Sequence, residues 1–392
     1  MSEKLSDKVL ENQIALLKKL IREWGENHEL WFDCGFTSWI EKYDDEPSEN
    51  PCILMMYFEG PLYGIFNMGH YLADDFYNLI DSKTDFFCQL EDNVTMSFWV
   101  KEENPALNAA FRNYFEWKWV SSLIKDGFDD IHKEIYDRIN RSPSDLQKLS
   151  PRQFEQFLDS VFKNNGYRSQ IGPGQADGGV DIRLYSDDGV AEIITLVQAK
   201  RYASKNPIKL EAVQALSAVV ENERANRGLF VTTSRYLPGV RDFAARQNRR
   251  IILADSTNIQ EWCALANQKI TLERSKILTA QYIQDIFLGK SGSELEGKIF
   301  CSRSGYNMHY YSFALVLKES RNTVLAIPLS SIVHSDDGYE QIGMNLPNIN
   351  FSDALREHEA FRAKKITNGN EISLWGNRER YLLWDGKPTP FN

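Results

Sequence analysis

The sequence has few cysteines and no long apolar run. Its 392 residues include five cysteines, and none of them forms a C-x-x-C pair, which argues against a disulfide framework and a zinc site. No uninterrupted apolar stretch reaches the ~18 residues that a membrane helix needs, and the N-terminus is charged where a secretory signal needs an apolar core. We therefore expect a soluble, cytoplasmic protein with reduced cysteines and no membrane partner.

Several common catalytic motifs are also missing. The six histidines form neither an H-E-x-x-H motif nor another metal-ligand cluster. The sequence contains no G-x-x-x-x-G-K-[S/T] loop for nucleotides and no G-x-S-x-G elbow for a serine nucleophile. These absences disfavour zinc peptidases, P-loop NTPases and α/β-hydrolases.

Positive charge is scarce in the first third of the chain. Residues 1–140 carry 13 Lys and Arg against 27 Asp and Glu, whereas residues 141–265 carry 17 against 14. Phosphate backbones are bound mainly through clustered Lys and Arg, so the first third is a poor nucleic-acid surface and the middle third a better one.

Length and composition predict a folded protein of two or three domains. The chain is 42% hydrophobic and 26% charged, within the ordinary globular range. A polar Pro/Ser stretch after residue 140 marks a boundary. We expect an acidic, aromatic-rich α+β domain for regulation or partner binding, a central α/β domain, and a small α+β domain for oligomerisation or partner binding, at residues 1–140, 146–268 and 269–392.

Apolar spacing predicts the elements of the two outer domains. The first domain is expected to begin with a helix from Lys8 that stops at Gly25, and Gly60-Pro61 is expected to form a turn between two strands. Its further predicted elements are strands at 53–58, 63–66 and 95–100 and a helix at 71–80. The last domain is predicted to have strands at 310–317, 324–327 and 381–384 and a helix at 353–363.

An aromatic row marks a predicted helix of the first domain that begins at Pro105. The row consists of Phe111, Tyr114, Phe115, Trp117 and Trp119. The row is typical either of a packed core or subunit interface or of a base-stacking platform. The acidic surroundings favour the core or interface.

The middle domain has the pattern of an α/β sandwich. Ser150-Pro151 with Gln153 predicts a capped helix start, and Gly166 predicts its end. The elements that follow are a short strand, a glycine-rich loop, a two-stranded hairpin, and then alternating helices and strands. The order αβββαβαβα predicts a mixed sheet flanked by helices.

One predicted hairpin carries polar groups suited to chemistry. In a strand the side chains alternate, so Gln198 and Lys200 lie on one face, while Asp181 begins the adjacent strand. The hairpin therefore brings a carboxylate, a carboxamide and an ammonium group to one end of the sheet. Lys200 follows an apolar strand, so it needs a route to solvent or a nearby anion.

The same residues resemble a known family. The blocks Phe154-Glu155, Gly166-Tyr167, Asp177–Asp181, Gln198–Tyr202 and Val231–Ser234 are similar, in order and spacing, to the Mrr-like restriction endonuclease domain of the PD-(D/E)XK nuclease superfamily. The resemblance covers residues 147–266. It implies a central restriction-endonuclease-like mixed sheet in a multi-domain α/β protein.

The resemblance also implies a metal-dependent site. Asp181 would ligate Mg²⁺, with Mn²⁺ as a substitute, and the Gln198 carboxamide and Ala199 carbonyl would complete the site. Lys200 would orient the attacking water and stabilise developing charge, and Glu155 would hold the metal through water. Gln198 replaces the second acidic residue of the superfamily, as in the Mrr-like branch, so we expect weaker metal binding than at a two-carboxylate site.

Four further residues are candidates for DNA contact. Arg201 lies next to the site and is expected to bind phosphate or to pair with Asp187 or Asp188. Gln175 and Thr232 are candidates for substrate contact or for support of the site residues. Arg246, in a basic run with Arg249 and Arg250, is expected either on a solvated face or on the DNA backbone. Asp177 is expected to cap the glycine turn or, alternatively, to ligate metal.

These features predict a metal-dependent deoxyribonuclease that hydrolyses phosphodiester bonds in double-stranded DNA. The expected role is restriction or anti-phage defence, with the flanking domains regulating activity. Two alternatives stay open: a nuclease-fold subunit that mainly binds or scaffolds within a larger defence complex, and a junction-resolving or repair nuclease. The chain is expected to be a homo-oligomer or a subunit of a defence complex.

Overall fold

A computed structural model describes residues 5–43, 46–125, 132–174, 179–187, 189, 191–203, 205–304, 310–336, 343–369 and 371–391. The chain divides into two units, Met1–Ser122 with Gly376–Glu379, and Leu123–Trp375 with Arg380–Asn392. This division does not test the three predicted domains, which remain a prediction. No helix in the described ranges combines the length and the apolar character that a bilayer crossing needs.

The first unit contains a four-stranded antiparallel sheet covered by helices. Its strands are ordered β1-β2-β4-β3. The elements are α1 (Asp7–Asn27), β1 (Cys34–Thr37), α2 (Trp39–Tyr43), β2 (Leu54–Phe58), α3 (Gly60–Asn67), α4 (Tyr71–Lys83), β3 (Phe86–Asp92), β4 (Thr95–Val100) and α5 (Pro105–Lys125), the last of which continues past Ser122.

Two predictions in this unit are wrong. The run 63–66 lies in α3 rather than in a strand, because Pro61 occupies the first turn of a helix, where its fixed φ is favourable. Leu62, Ile65 and Phe66 then have helical spacing and are buried together. Gly25 does not end α1, which continues to Asn27.

The aromatic row of α5 belongs to the core. Phe111, Tyr114, Phe115 and Trp119 are all buried, and the first three pack in the main apolar cluster of the unit. The packed-core interpretation is therefore confirmed for these four side chains, which are not available as an exposed stacking platform. Trp117, the fifth aromatic of the row, is half-buried.

The second unit begins with the predicted α/β sandwich. A 3-10 helix, Pro143–Lys148, separates its first two helices. The elements are α6 (His132–Arg141), α7 (Pro151–Asn164), β5 (Arg168–Ile171), β6 (Ile182–Asp187), β7 (Glu192–Lys200), α8 (Leu210–Asn222), β8 (Arg227–Thr232), α9 (Pro238–Arg246), β9 (Ile251–Ala254) and α10 (Ser256–Ile277).

Sheet topology confirms the mixed sheet. The strand order is β5-β6-β7-β8-β9. The first three strands pair antiparallel, and β7, β8 and β9 run parallel. The multi-domain α/β fold class predicted from the sequence is thus confirmed.

Helix α7 starts where its capping signal predicts. The Ser150 hydroxyl accepts the Gln153 N–H at 3.2 Å, and the Gln153 side chain accepts the Ser150 N–H at 2.8 Å. Pro151 fills the first helical position, where no N–H is needed. The buried face of the helix, which includes Phe154 and Phe157, packs against the sheet. The start of α7 lies near the end of β5, because Arg152 of its first turn donates to the Gly172 carbonyl.

The last part of the second unit is richer in strands than expected. Six of its strands, β10-β11-β12-β15-β16-β17, form a closed barrel, and three more form a sheet ordered β13-β14-β18. The elements are α11 (Ala280–Phe287), β10 (Ile299–Ser304), β11 (Tyr310–Glu319), β12 (Thr323–Leu329), β13 (Ser331–Asp336), β14 (Gly343–Pro347), α12 (Phe351–Glu357), β15 (Phe361–Asn368), β16 (Glu371–Gly376), β17 (Glu379–Leu383) and β18 (Thr389–Phe391).

The helix predicted at 353–363 is only partly correct. Helix α12 ends at Glu357, and His358 adopts an extended backbone. Phe361 then starts β15 and pairs with Ala326 of β12. The strand pairing therefore overrides the helical apolar spacing in the second half of the predicted segment.

Candidate active site

The site is built around the hairpin of β6 and β7. Asp181 precedes β6, and its N–H donates to the Val197 carbonyl at 2.8 Å. Its own carbonyl accepts the Gly172 N–H at 2.8 Å. These bonds fix the backbone of Asp181 between the end of β5 and the end of β7, as the sequence predicted for the start of the strand.

The Asp181 carboxylate is held by the neighbouring strand. Its Oδ2 accepts the Ala199 N–H at 2.6 Å, and the residue is 7% exposed. A hydrogen bond from a backbone N–H to a carboxylate is among the stronger kinds, because the acceptor is charged. The bond selects one orientation of the carboxylate beside Gln198, which lies between Val197 and Ala199.

The Gln198 amide is buried and only partly satisfied. The residue is 9% exposed, and its Oε1 has no hydrogen-bond partner among the described residues. An orphaned buried acceptor costs about 1–3 kcal/mol. On the other side of the amide, a Cβ added to Gly179 would lie 3.1 Å from Nε2, and Gly179 has a φ of +86°. The glycine therefore lets the loop approach the amide closely.

Lys200 ends β7 on the same side of the sheet as Gln198, as strand alternation requires. It is half-buried and makes no ion pair with a described residue. The Thr232 hydroxyl donates to the Lys200 carbonyl at 2.8 Å and accepts the Ser234 N–H at 3.1 Å. Thr232 is fully buried. Its placement therefore fits support of Lys200 better than direct substrate contact.

Glu155 reaches the same edge from α7, where it is engaged by an arginine. Arg152 Nη1 lies 2.9 Å from Glu155 Oε2 and also donates to the Gly172 carbonyl at 2.9 Å. A Cβ added to Gly174 would lie 3.2 Å from the same nitrogen. Sequence reasoning missed Arg152, although its i,i+3 spacing from Glu155 on one helix was a usable signal.

The candidate DNA contacts have different positions. Arg201 follows Lys200, and its Nη1 donates to the Gln147 carbonyl at 2.7 Å. Asp187 lies at the opposite end of the hairpin, paired with Glu192, while Asp188 lies outside the described residues.

Gln175 and Asp177 also lie outside the described residues. Arg246 is exposed at the C-terminal end of α9, and the next strand begins at Ile251 opposite Gly228. Gly228 in turn pairs with Leu196, four residues before Lys200 on β7. The structure thus brings Asp181, Gln198, Ala199 and Lys200 together and leaves Arg246 at the other edge of the sheet.

The donor set fits a hard divalent cation. Asp181 supplies a carboxylate, Gln198 an unsatisfied amide oxygen, and Ala199 a backbone carbonyl, which are the oxygen donors that Mg²⁺ prefers. Within the described ranges, no group of three or more His, Cys, Asp or Glu side chains is placed to hold a metal. A group limited to these four residue types does not include Gln198 or the Ala199 carbonyl, which are two of the three candidate ligands here.

Comparison with known sequences identifies a related domain family. The family model described as Restriction endonuclease (Mrr_cat) matches residues 146–263. The chain is also 32% identical, over 132 residues, to the type IV methyl-directed restriction enzyme EcoKMrr of Escherichia coli (strain K12). That match covers 32% of this chain and 42% of the relative, so the chain spans less than half of the relative's length.

Two solved structures share limited similarity with the chain. The MspJI restriction endonuclease in complex with a 27-mer oligonucleotide is 18% identical, with a TM-score of 0.27, over 34% of this chain and 32% of that one. The DNA modification-dependent restriction endonuclease AspBHI is 16% identical, with a TM-score of 0.25, over 48% and 60% respectively. The family match and the sequence relative, together with the predicted order of elements in the sheet, lead to one conclusion: residues 146–263 are an Mrr-like restriction endonuclease domain.

Proposed function

We propose that the chain is a metal-dependent DNA endonuclease that acts in restriction and is controlled by the regions outside residues 146–263. The observation that carries the proposal is the hairpin end, where the Asp181 carboxylate and the unsatisfied Gln198 amide oxygen lie beside Lys200. Phosphodiester hydrolysis needs an activated water and neutralisation of charge on the phosphoryl oxygens. This chain offers oxygen donors for a cation and an ammonium group for the phosphate.

Asp181, Gln198 and Ala199 would hold the cation. A bound Mg²⁺ or Mn²⁺ would lower the pKa of a water molecule and stabilise negative charge on the phosphate. The backbone bond from Ala199 keeps the Asp181 carboxylate in one orientation, which removes the need to order it when substrate binds.

Lys200 has the second role in the proposal. Its ammonium would orient the attacking water and stabilise the charge that develops on the scissile phosphate. The bond from Thr232 to its carbonyl fixes the end of β7 and thereby the point from which the side chain extends. Arg152 would position Glu155 and the loop at Gly172 relative to this end.

The proposed control of the nuclease by the first third of the chain is inferred from the charge of that region. Residues 1–140 carry 27 acidic against 13 basic side chains, so they repel DNA and suit protein contacts or shielding of a basic surface. The name of the E. coli relative, a methyl-directed enzyme, supports including modified DNA among the candidate substrates. The aligned part is the nuclease domain, so the selection of substrate is assigned to the remaining regions.

The test is cleavage of supercoiled plasmid by the full chain, with plasmid prepared from methylating and from non-methylating hosts. We expect nicked or linear product with Mg²⁺ or Mn²⁺, and none after addition of a chelator. Product that persists in chelator would contradict metal dependence. Failure to cut either plasmid with either metal would contradict the endonuclease proposal and favour the scaffold alternative.

A further inference from the structure

An arginine patch lies at the edge of the sheet opposite Lys200. Arg227 begins β8, Arg246 ends α9, and Arg249 and Arg250 precede β9. The Gly228 N–H donates to the Arg250 carbonyl at 2.8 Å, so the patch is tied to the start of the parallel strands. Four residues of β7 separate this edge from Lys200, which corresponds to about 13 Å at ~3.3 Å per residue. The patch is therefore distinct from the candidate active site.

The local composition is strongly positive. Residues 223–250 contain seven arginines, no lysine and two carboxylates, in a chain whose net charge is -10. One of the carboxylates, Glu223 at the end of α8, forms an ion pair at 3.0 Å with Arg183 of β6. The other, Asp242, is exposed on α9. Of the seven arginines, Arg235 follows the other end of β8, and Arg241 pairs with Asp255 at 3.8 Å. The exposed positive charge of this edge therefore comes from Arg227, Arg246, Arg249 and Arg250.

The arginines of the patch are available for a ligand. Arg227, Arg246, Arg249 and Arg250 are exposed, and none of them forms an ion pair with a described residue. Arg227 and Arg249, with Arg241, line an open groove over Ile251–Leu253, and none of the residues lining it is acidic. Arg249 has a φ of 64°, in the left-handed region, which costs roughly 1 kcal/mol or more for a residue with a Cβ.

We propose that this patch binds the phosphate backbone of duplex DNA, at a second site apart from the edge that cuts. Guanidinium groups bind phosphate oxygens through two parallel hydrogen bonds, which explains why the patch uses arginine rather than lysine. The inference rests on the proposed function only in taking DNA as the substrate. One segment of a long DNA would be held at the patch while the active-site edge acts on another.

The test measures DNA affinity of the full chain in chelator, where no cleavage occurs. The variant combines Arg246→Gln, Arg249→Asn and Arg250→Gln, with asparagine at 249 because it tolerates a positive φ. The control combines Lys298→Gln, Arg321→Gln and Lys387→Gln, three exposed residues of the same unit. Both variants lose three positive charges, so net charge alone affects them equally.

We measure the Kd for a 30-base-pair duplex by fluorescence anisotropy at several salt concentrations. Each phosphate contact contributes about 0.9 to the slope of log K against log salt, so the patch variant should lose about two to three units of slope. Its Kd near physiological salt should rise about ten-fold or more, while the control stays within about two-fold of the parent. Matching circular dichroism melts of all three proteins confirm that they fold.

Two results would overturn the proposal. An unchanged Kd and salt slope in the patch variant would show that the patch does not contact DNA. A lower Kd would show that the three arginines oppose DNA binding rather than contribute to it. Nicking with Mg²⁺ is measured separately on the same proteins. If the parent binds DNA through the patch but does not cut it, the proposed function fails while this inference stands.

Discussion

Restoring a second carboxylate at the site should destabilise the cation-free protein. In Gln198→Glu, the introduced carboxylate takes the place of an amide that is 9% exposed, beside the Asp181 carboxylate on the neighbouring strand. Side chains on adjacent strands lie about 5 Å apart, and at an effective dielectric of about 20 the repulsion is about 3 kcal/mol. For a domain of a few hundred residues this corresponds to a fall of about 6–12 °C in melting temperature.

A divalent cation should reverse this loss. Mg²⁺ neutralises the two carboxylates and binds the folded state, and ligand at 100 times its Kd adds about 2.7 kcal/mol of stability. We therefore expect Mg²⁺ to raise the melting temperature of Gln198→Glu more than that of the parent. Tighter metal binding should also lower the Mg²⁺ concentration at half-maximal nicking, whether or not the maximal rate increases.

The loss of stability in cation-free Gln198→Glu should depend on pH. Burial and the like charge of Asp181 raise the folded-state pKa of the introduced carboxylate above its unfolded value of about 4.3. The folded state then holds the proton more tightly than the unfolded state. The deficit is therefore complete above the raised folded-state pKa and disappears as the pH falls below about 4.3.

The assay is thermal unfolding followed by circular dichroism, in chelator and in Mg²⁺. The matched control is Gln214→Glu, the same change at an exposed position of α8, which should melt within about 1 °C of the parent. The reasoning is refuted if Gln198→Glu melts like the parent in chelator and gains no more from Mg²⁺ than the parent does. That result would remove the Gln198 side chain from the cation site.

Two further predictions concern other parts of the chain. Burial raises the pKa of the Cys52 thiol to about 11 and that of the Cys88 thiol to about 12. At pH 8 the native protein should therefore react with Ellman's reagent about 100-fold more slowly at Cys52, and about 1,000-fold more slowly at Cys88, than the denatured protein does; equal rates would contradict the raised pKa values. Arg138 and Asp145 form a buried ion pair at 2.7 Å, and Lys148 also contacts the Asp145 carboxylate at 3.3 Å. Arg138→Met removes the closer partner of a buried carboxylate, so it should lose about 3 kcal/mol in urea unfolding, and adding Asp145→Leu should recover part of this loss. A double variant no more stable than Arg138→Met would contradict this explanation.

Local signals in the sequence predicted the nuclease domain well. The start of α7 has a two-way cap in Ser150 and Gln153, and the strands around Asp181 and Lys200 are bounded by glycine and polar turns. These determinants lie within a few residues of the elements they specify. The hydrogen bond from the Ala199 N–H to the Asp181 carboxylate follows from the register of the hairpin, in which Ile182 pairs with Val197.

The missed features depend on contacts between distant residues or on ambiguous short runs. Segment 63–66 is too short for apolar spacing to distinguish strand from helix, and Pro61 starts the helix. Closure of the barrel requires β10 to pair with β17, some 80 positions later in the chain, and no local pattern specifies such a pairing. The contact between Arg152 and Gly172 could not be predicted, because Gly172 offers only a backbone carbonyl.

The most direct measurement of the central claim is plasmid cleavage in Mg²⁺ by Asp181→Ala and Lys200→Ala, each beside a matched control. The controls are Asp74→Ala on α4 and Lys298→Ala just before β10, which remove the same groups at exposed positions outside residues 146–263. We expect the controls to cut like the parent and both site variants to remain folded by circular dichroism yet produce no nicked DNA. Cleavage at the parental rate by folded Asp181→Ala and Lys200→Ala would contradict the assignment of the active site.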